Sequence, residues 1–415
     1  MLVAQADTTP DEAIEVQVRR LVRQLDADEL ARREAAEAAL IEMGPEVLDH
    51  LPRITSRTPP EVKQRLLRIQ GVLQQRAAEA ATEASRVTIE SQTMPLSRIV
   101  AILKERTGNQ LLDFRKRWGQ GAEDVEVEVD FDNVPFWEAL DQILDRAGLT
   151  LYHYPGQPNT VAYVKRDADE LPRHGRAACQ GVFRIEPTTM TAMRNLRQPE
   201  TSGLKLTLEV AWEPRLVPIL VSQSLADIRA VDEQGHPIAV AGEGSLESPV
   251  QNGVSAVEIE VPLAVPERSV QRIASLSGQL AALVPGRVEA FEFAELEAAD
   301  DEEIRKGAVT VVLQKVRKNA GLYEVFMLVR FDEAANALES HRGWVFNNKA
   351  YLLHKDGNQK EPDGLETTRR TVNEMGISFK FVLDNDLSDY SFVYETPAAI
   401  VQLPIKYELK DIPLP

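Results

Sequence analysis

The chain has 415 residues, of which 43% are hydrophobic and 27% charged, with a formal charge of −18 and one cysteine. These values exclude a wholly disordered chain and a disulfide-stapled miniprotein, and they weigh against a general binder of phosphate backbones, which needs clustered Lys and Arg. At about 150 residues per domain the length implies about three domains, and no run approaches the roughly 18 apolar residues that span a bilayer.

Residues 1–10 read as the remnant of a signal peptide or as a tail. Leu2-Val3 leads into the small-x-small pattern Ala4-Gln5-Ala6, without a charged or long apolar region before it. The expectation is an exported, periplasmic or cell-envelope protein; the alternative is a cytoplasmic adaptor.

Residues 11–80 carry helical periodicity. Ile14, Val18, Leu21, Val22 and Leu25 share one face. A second helix is expected after Asp26 as N-cap, and Gly44-Pro45 ends it. A third begins at Pro45, and Thr58-Pro59-Pro60-Glu61 opens a fourth as a capping box. Short antiparallel helices of this kind are HEAT-like, and units of that type bury their faces only by stacking on neighbours.

Between residues 86 and 166 the chain repeats itself at a shift of 40 residues. Val87 and Ile89 match Val127 and Val129; Met94-Pro95-Leu96 matches Val134-Pro135-Phe136; Leu103 matches Ile143; Gly108 matches Gly148. Each half reads as strand, proline-started helix, glycine cap and strand. Phe136, Leu140, Ile143, Leu144 and Ala147 form the buried helical face, and Thr160–Val164 adds a strand. The spacer between the halves holds Phe114-Arg115-Lys116-Arg117-Trp118, basic residues beside aromatics.

This stretch resembles the short N-terminal (STN) domain of bacterial secretins and TonB-dependent receptors. The resemblance rests on Met94-Pro95-Leu96, Thr107-Gly108, Val127-Glu128-Val129-Asp130-Phe131, Glu138-Ala139-Leu140 and Gly148-Leu149-Thr150-Leu151-Tyr152. It implies a non-enzymatic periplasmic domain that docks onto partner proteins. No secretin pore or outer-membrane barrel pattern follows, so the resemblance does not extend to transport.

Asp167–Arg176 reads as a linker, and from Gly181 the period becomes alternating. Leu204, Leu206, Leu208, Val210 and Trp212 share one strand face. About seven short strands over residues 178–294 suggest an antiparallel β-sandwich. The acidic stretch Ala294–Arg305 reads as a boundary, and residues 304–415 as a second, immunoglobulin-like sandwich. The expected fold class is therefore multidomain α+β: a helical HEAT-like segment, a small βαβ-βαβ domain and two antiparallel sandwiches.

Chemistry is sparse. No Walker loop, G-x-G-x-x-G, G-x-S-x-G or C-x-x-C pattern occurs, and no histidines are paired at metal-ligand spacing. Cys179 falls in an expected linker. Asp384, Asp386 and Ser388 stand at positions one, three and five of a calcium loop, with Glu395 at position twelve. Position six is Asp389 instead of glycine, and strands flank the loop, so an acidic β-turn is the plainer reading. The expectation is a scaffold with no cofactor that binds protein partners and no nucleic acid, with Arg115, Lys116, Arg117, Trp118, Phe136 and Trp137 as contact residues. A hydrolase with a carboxylate site between the β modules and a calcium-dependent adhesin-like protein are the alternatives.

Overall fold

The computed structural model describes residues 10–415 except 53, 55–56, 320, 332–344, 347 and 384–385, and except the side chains of 10–12 and 200. The fold is mixed α+β with several sheets. The chain forms two compact units: Met1–Ala80 with Pro285–Val401, and Ala81–Val284 with Gln402–Pro415. Among the described residues no helix is long and apolar enough to cross a membrane.

The front is α1 (Pro10–Gln24), α2 (Leu30–Glu42) and α3 (Pro60–Ala81). Val18, Leu21 and Leu25 meet Ala36, Leu40, Val47, Leu66, Ile69 and Leu73 in one core. Glu37 is buried between α2 and α3, taking Arg65 at 2.5 Å and Arg68 at 2.9 Å. Asp26 is not the cap, since α2 starts later behind an extended Glu29. The helix expected at Pro45 is only a 3-10 turn, Pro45–Asp49. Gly44, at φ 97°, turns the chain sharply before it, and Pro52 disfavours helical backbone at Leu51 just after it.

The duplicated region gives β1 (Arg86–Pro95), α4 (Leu96–Thr107), β2 (Gln110–Asp113), β3 (Glu126–Pro135), α5 (Phe136–Arg146), β4 (Leu149–Tyr152) and β5 (Thr160–Lys165). β1 and β3 pair antiparallel, and the pairing obeys the repeat. Arg86 opposes Pro135, and the equivalent pair, Pro95 opposite Glu126, closes the other end. Gly108 and Gly148, at φ 72° and 66°, end the two helices in the left-handed backbone that a side chain would strain. The second strands of the halves, β2 and β4, flank β5 in a separate sheet, parallel and antiparallel to it respectively. Both sheets and both helices share one core, from Val87 and Ile99 through Phe136 and Ile143 to Val161.

Residues 81–85, which lead into β1, are tied to the loop that follows Trp212. Buried Glu213 accepts the Ser85 amide at 2.8 Å, Asn109 Nδ2 at 2.8 Å and Arg215 Nε at 2.9 Å. Arg215 also donates to the Ala81 carbonyl at 2.8 Å and to that of Glu83.

Next come β6 (Ala178–Gln180), β7 (Phe183–Met193), β8 (Gly203–Trp212), β9 (Leu220–Ser224), β10 (Arg229–Asp232), β11 (Pro237–Ile238), β12 (Ser245–Pro249), β13 (Ala256–Leu263) and β14 (Arg272–Pro285). One sheet is ordered β13-β8-β7-β6, the other β11-β10-β14-β9-β12. The alternating face of β8 is buried as its period requires, with Leu204 to Trp212 at 2% exposure or less. Cys179 lies on β6, exposed, and not in a linker.

The remaining strands are β15 (Val288–Phe293), β16 (Glu302–Lys306), β17 (Val309–Asn319), β18 (Leu322–Phe331), β19 (Ala350–His354), β20 (Gln359–Lys360), β21 (Gly364–Arg370), β22 (Glu374–Val382), β23 (Tyr390–Pro397) and β24 (Ile400–Pro413). Sheets β15-β23-β19-β20 and β16-β17-β18-β22-β21 contribute Phe291, Leu352, Phe392 and Val311, Val325, Phe381 to one sandwich-like core. Three expectations are corrected here. β15 pairs β23 and so leaves the first sandwich; β24 pairs β14 and joins it. The acidic boundary holds β16, and Leu296 within it is buried in the core at 2%. Its carboxylates are exposed, four in succession from Asp300 to Glu303, and their charge hides the buried Leu296 from a reading by charge alone.

Candidate protein-docking site

The sheet β2-β5-β4 has two unlike faces. Leu149, Leu151, Val161 and Tyr163 point into the domain core. Leu112, Tyr152, Ala162 and Val164 point the other way, under Phe114. There the rings of Phe114 and Tyr152 lie 5.1 Å apart, Trp118 and Tyr152 4.9 Å, and Tyr152 and Tyr154 6.1 Å. Trp118 is 52% exposed and Tyr154 49%, so the aromatic row ends in solvent.

The turn carrying Trp118 is held rigidly. Phe114 N donates to the Tyr163 carbonyl at 3.0 Å, and Gly119, at φ 68°, closes the 3-10 turn Arg115–Trp118. Arg115 is not a contact residue: it is buried at 5%, gripping Asp113 with two donors at 2.9 and 2.6 Å and the Glu123 carbonyl at 3.0 Å. Burial pushes the Asp113 carboxyl up, but Arg115 outweighs that and holds it below its ordinary value. Lys116 and Arg117 are exposed, and Arg117 stacks over Phe114 at 5.1 Å. Neither forms a salt bridge among the described residues, though the charge of Lys116 helps to lower Asp113.

Phe136 and Trp137, expected as contacts, are buried at 0% and 1%. They open α5 where β3 enters the core, their rings 5.1 Å apart, and Trp137 Nε1 donates to the Val182 carbonyl at 2.8 Å. The helical period that places Phe136 inward was the signal to follow. Tyr152 and Tyr154 were missed because only the fold brings them beside Trp118.

A second cluster, also missed, is a buried ion network. Arg184 is 0% exposed and reaches Asp141 at 3.0 Å and Glu186 at 2.7 Å. Arg173, from the expected linker, binds Glu186 at 2.5 Å and Glu209 at 2.7 Å. Glu186 and Glu209 are directly opposite across β7 and β8, and Glu209 opposes Glu258 on β13. Three carboxylates in a row repel, so the two arginines offset what the strand register imposes.

His153 Nδ1 lies 2.8 Å from Ser255 Oγ, and its Nε2 3.3 Å from Glu209 Oε1. A Ser-His-carboxylate chain can activate a nucleophile, but that chemistry needs room for a substrate. Here Ser255 and His153 are 1% and 2% exposed, and the Ser255 amide and carbonyl are both used in backbone hydrogen bonds. The chain is a sealed strut.

Burial pushes the Glu209 carboxyl up, but His153 and Arg173 outweigh it and hold the group well below its ordinary 4.5. Burial raises Asp141, which Arg184 only partly offsets. A depressed carboxylate stabilises the fold above its unfolded value and loses that contribution as pH falls; a raised one acts in the opposite sense. With Asp113 also depressed, the Ala81–Val284 unit is expected to lose thermal stability below about pH 4.5. Glu209→Gln should make that acid limb shallower in calorimetric scans; an unchanged limb would contradict the assignment.

Of the calcium candidates, Asp384 lies outside the described residues. Asp386 precedes the 3-10 turn Leu387–Asp389, which includes Ser388. Glu395 sits five residues into β23, about 17 Å along the strand, and accepts the Tyr351 hydroxyl at 3.1 Å. Among the described residues no group of three or more His, Cys, Asp or Glu is placed to hold a metal ion. In comparisons with known proteins, no family model and no curated protein matches the chain.

Proposed function

We propose that the chain is a non-enzymatic docking module of the bacterial cell envelope, with its duplicated STN-like domain gripping a partner protein at the Trp118 face. The observation that carries this reading is a turn that presents an exposed indole and two exposed cations beside β2, an edge strand. An edge strand leaves alternate amides and carbonyls free for an added strand. A partner segment pairing there would gain affinity from the main chain, while Trp118, Tyr152 and Tyr154 would choose its side chains. The HEAT-like helices and the sandwiches serve as spacers or further docking faces.

In-cell photo-crosslinking tests this. A photoreactive residue at position 118 is expected to give an adduct of discrete mass, weakened by Lys116→Glu with Arg117→Glu. The same residue at Val382, equally exposed at 54%, should give none. Matching patterns at both positions would refute the assignment.

A further inference from the structure

The most exposed large hydrophobic residue described, Leu196 at 91%, stands in the turn that joins β7 to β8. Met193, at the end of β7, is 57% exposed beside it. The turn is structured: the Asn195 side chain accepts the amides of Arg197 at 3.0 Å and Gln198 at 3.1 Å and donates to Thr201 at 2.8 Å, while its own amide donates to Ser202 Oγ at 3.0 Å. This bonding fixes the loop so that Leu196 points into solvent. Isolated exposed leucines are ordinary, but a leucine held outward by four hydrogen bonds, with a methionine beside it, is a presented apolar tip.

The charges around the tip complete the pattern. Arg194 and Arg197 bracket Leu196, and Arg268, from the loop after β13, lines the same crevice as Arg194. Arg194 reaches only the Pro266 carbonyl, at 3.4 Å, and none of the three has a carboxylate partner among the described residues. Glu267 is the one described acidic residue lining that crevice. Three guanidiniums with no carboxylate partner among the described residues stand, on a chain of charge −18, around an apolar side chain that is 91% exposed. A leucine this exposed has little around it to clasp a peptide, whereas it can enter a deformable apolar layer while the neighbouring arginines meet phosphate headgroups.

We infer that the β7–β8 turn is a membrane-contact tip, with Leu196 and Met193 inserting among acyl chains and Arg194, Arg197 and Arg268 meeting anionic phospholipid headgroups. It is separate from the Trp118 face and does not depend on it.

Vesicle flotation of the full chain is the test. Vesicles containing phosphatidylglycerol should bind, and pure phosphatidylcholine vesicles should bind at least tenfold less. Leu196→Asp, on a side chain with almost no contacts to lose, should reduce binding at least tenfold with an unchanged melting curve. Arg194→Ala with Arg197→Ala should do the same, as should raised salt. No binding to either vesicle, equal binding to both, or variants that bind like the parent would each overturn the inference, and the first would point to a protein pocket as the occupant.

Discussion

Replacing Arg184 with methionine is expected to destabilise the Ala81–Val284 unit by about 3–5 kcal/mol, because it strips the cation from a buried network and strands its anions. Arg184 is 0% exposed, and Asp141 and Glu186 are buried at 5% and 7%. Water cannot replace the guanidinium there, so Asp141 must stay unpaired or take up a proton, while Glu186 keeps only Arg173. Arg184→Met with Asp141→Leu should recover a large part of the loss, since an apolar pair of similar volume avoids the desolvation cost altogether. Urea titration followed by tryptophan fluorescence reads the effect, because Trp137 and Trp212 are buried in the same unit. A loss under about 1 kcal/mol for the single variant would show that the network is not closed to solvent.

The duplication predicts a matched pair of losses. Leu103 and Ile143 stand 40 residues apart in equivalent helices, and both are 0% exposed in the same core. Each alanine substitution should cost about 2–5 kcal/mol, the transfer term plus the cavity left behind. The two values should agree within about 1 kcal/mol, because each side chain fills the same place in its half. Unfolding titrations with strongly unequal costs would mean that the halves differ in packing despite their shared pattern.

The sequence makes the duplicated domain legible because period, proline and glycine all repeat together. Two strand-helix junctions at Pro95 and Pro135 and two glycine caps fix where every element starts and stops. Sheet membership is less legible. Nothing local tells β15 to pair β23, or β24 to pair β14, since strand partners are chosen by packing across long separations. For the proposed docking face, Trp118 and its basic neighbours stand out in the chain. Arg115 could be told from Lys116 and Arg117 only through Asp113, two residues earlier. The ion network has no sequence signature at all: Asp141, Arg173, Arg184 and Glu209 come from four separate segments.

The strand β24 has a consequence for how the molecule is made. It lies beside β14, yet Pro285–Val401, which belongs to the other unit, is threaded between them in the chain. Each unit is therefore assembled from two stretches that leave the ribosome far apart in time. The leading helices close a core of their own within residues 18–73, and the rest of their unit follows some two hundred residues downstream, while the unit begun at Ala81 lacks its last strand until Gln402–Pro415 arrives. Biogenesis of this protein is an interleaved problem: the unit begun first has all its residues by Val401, and the unit begun second is completed only by Gln402–Pro415.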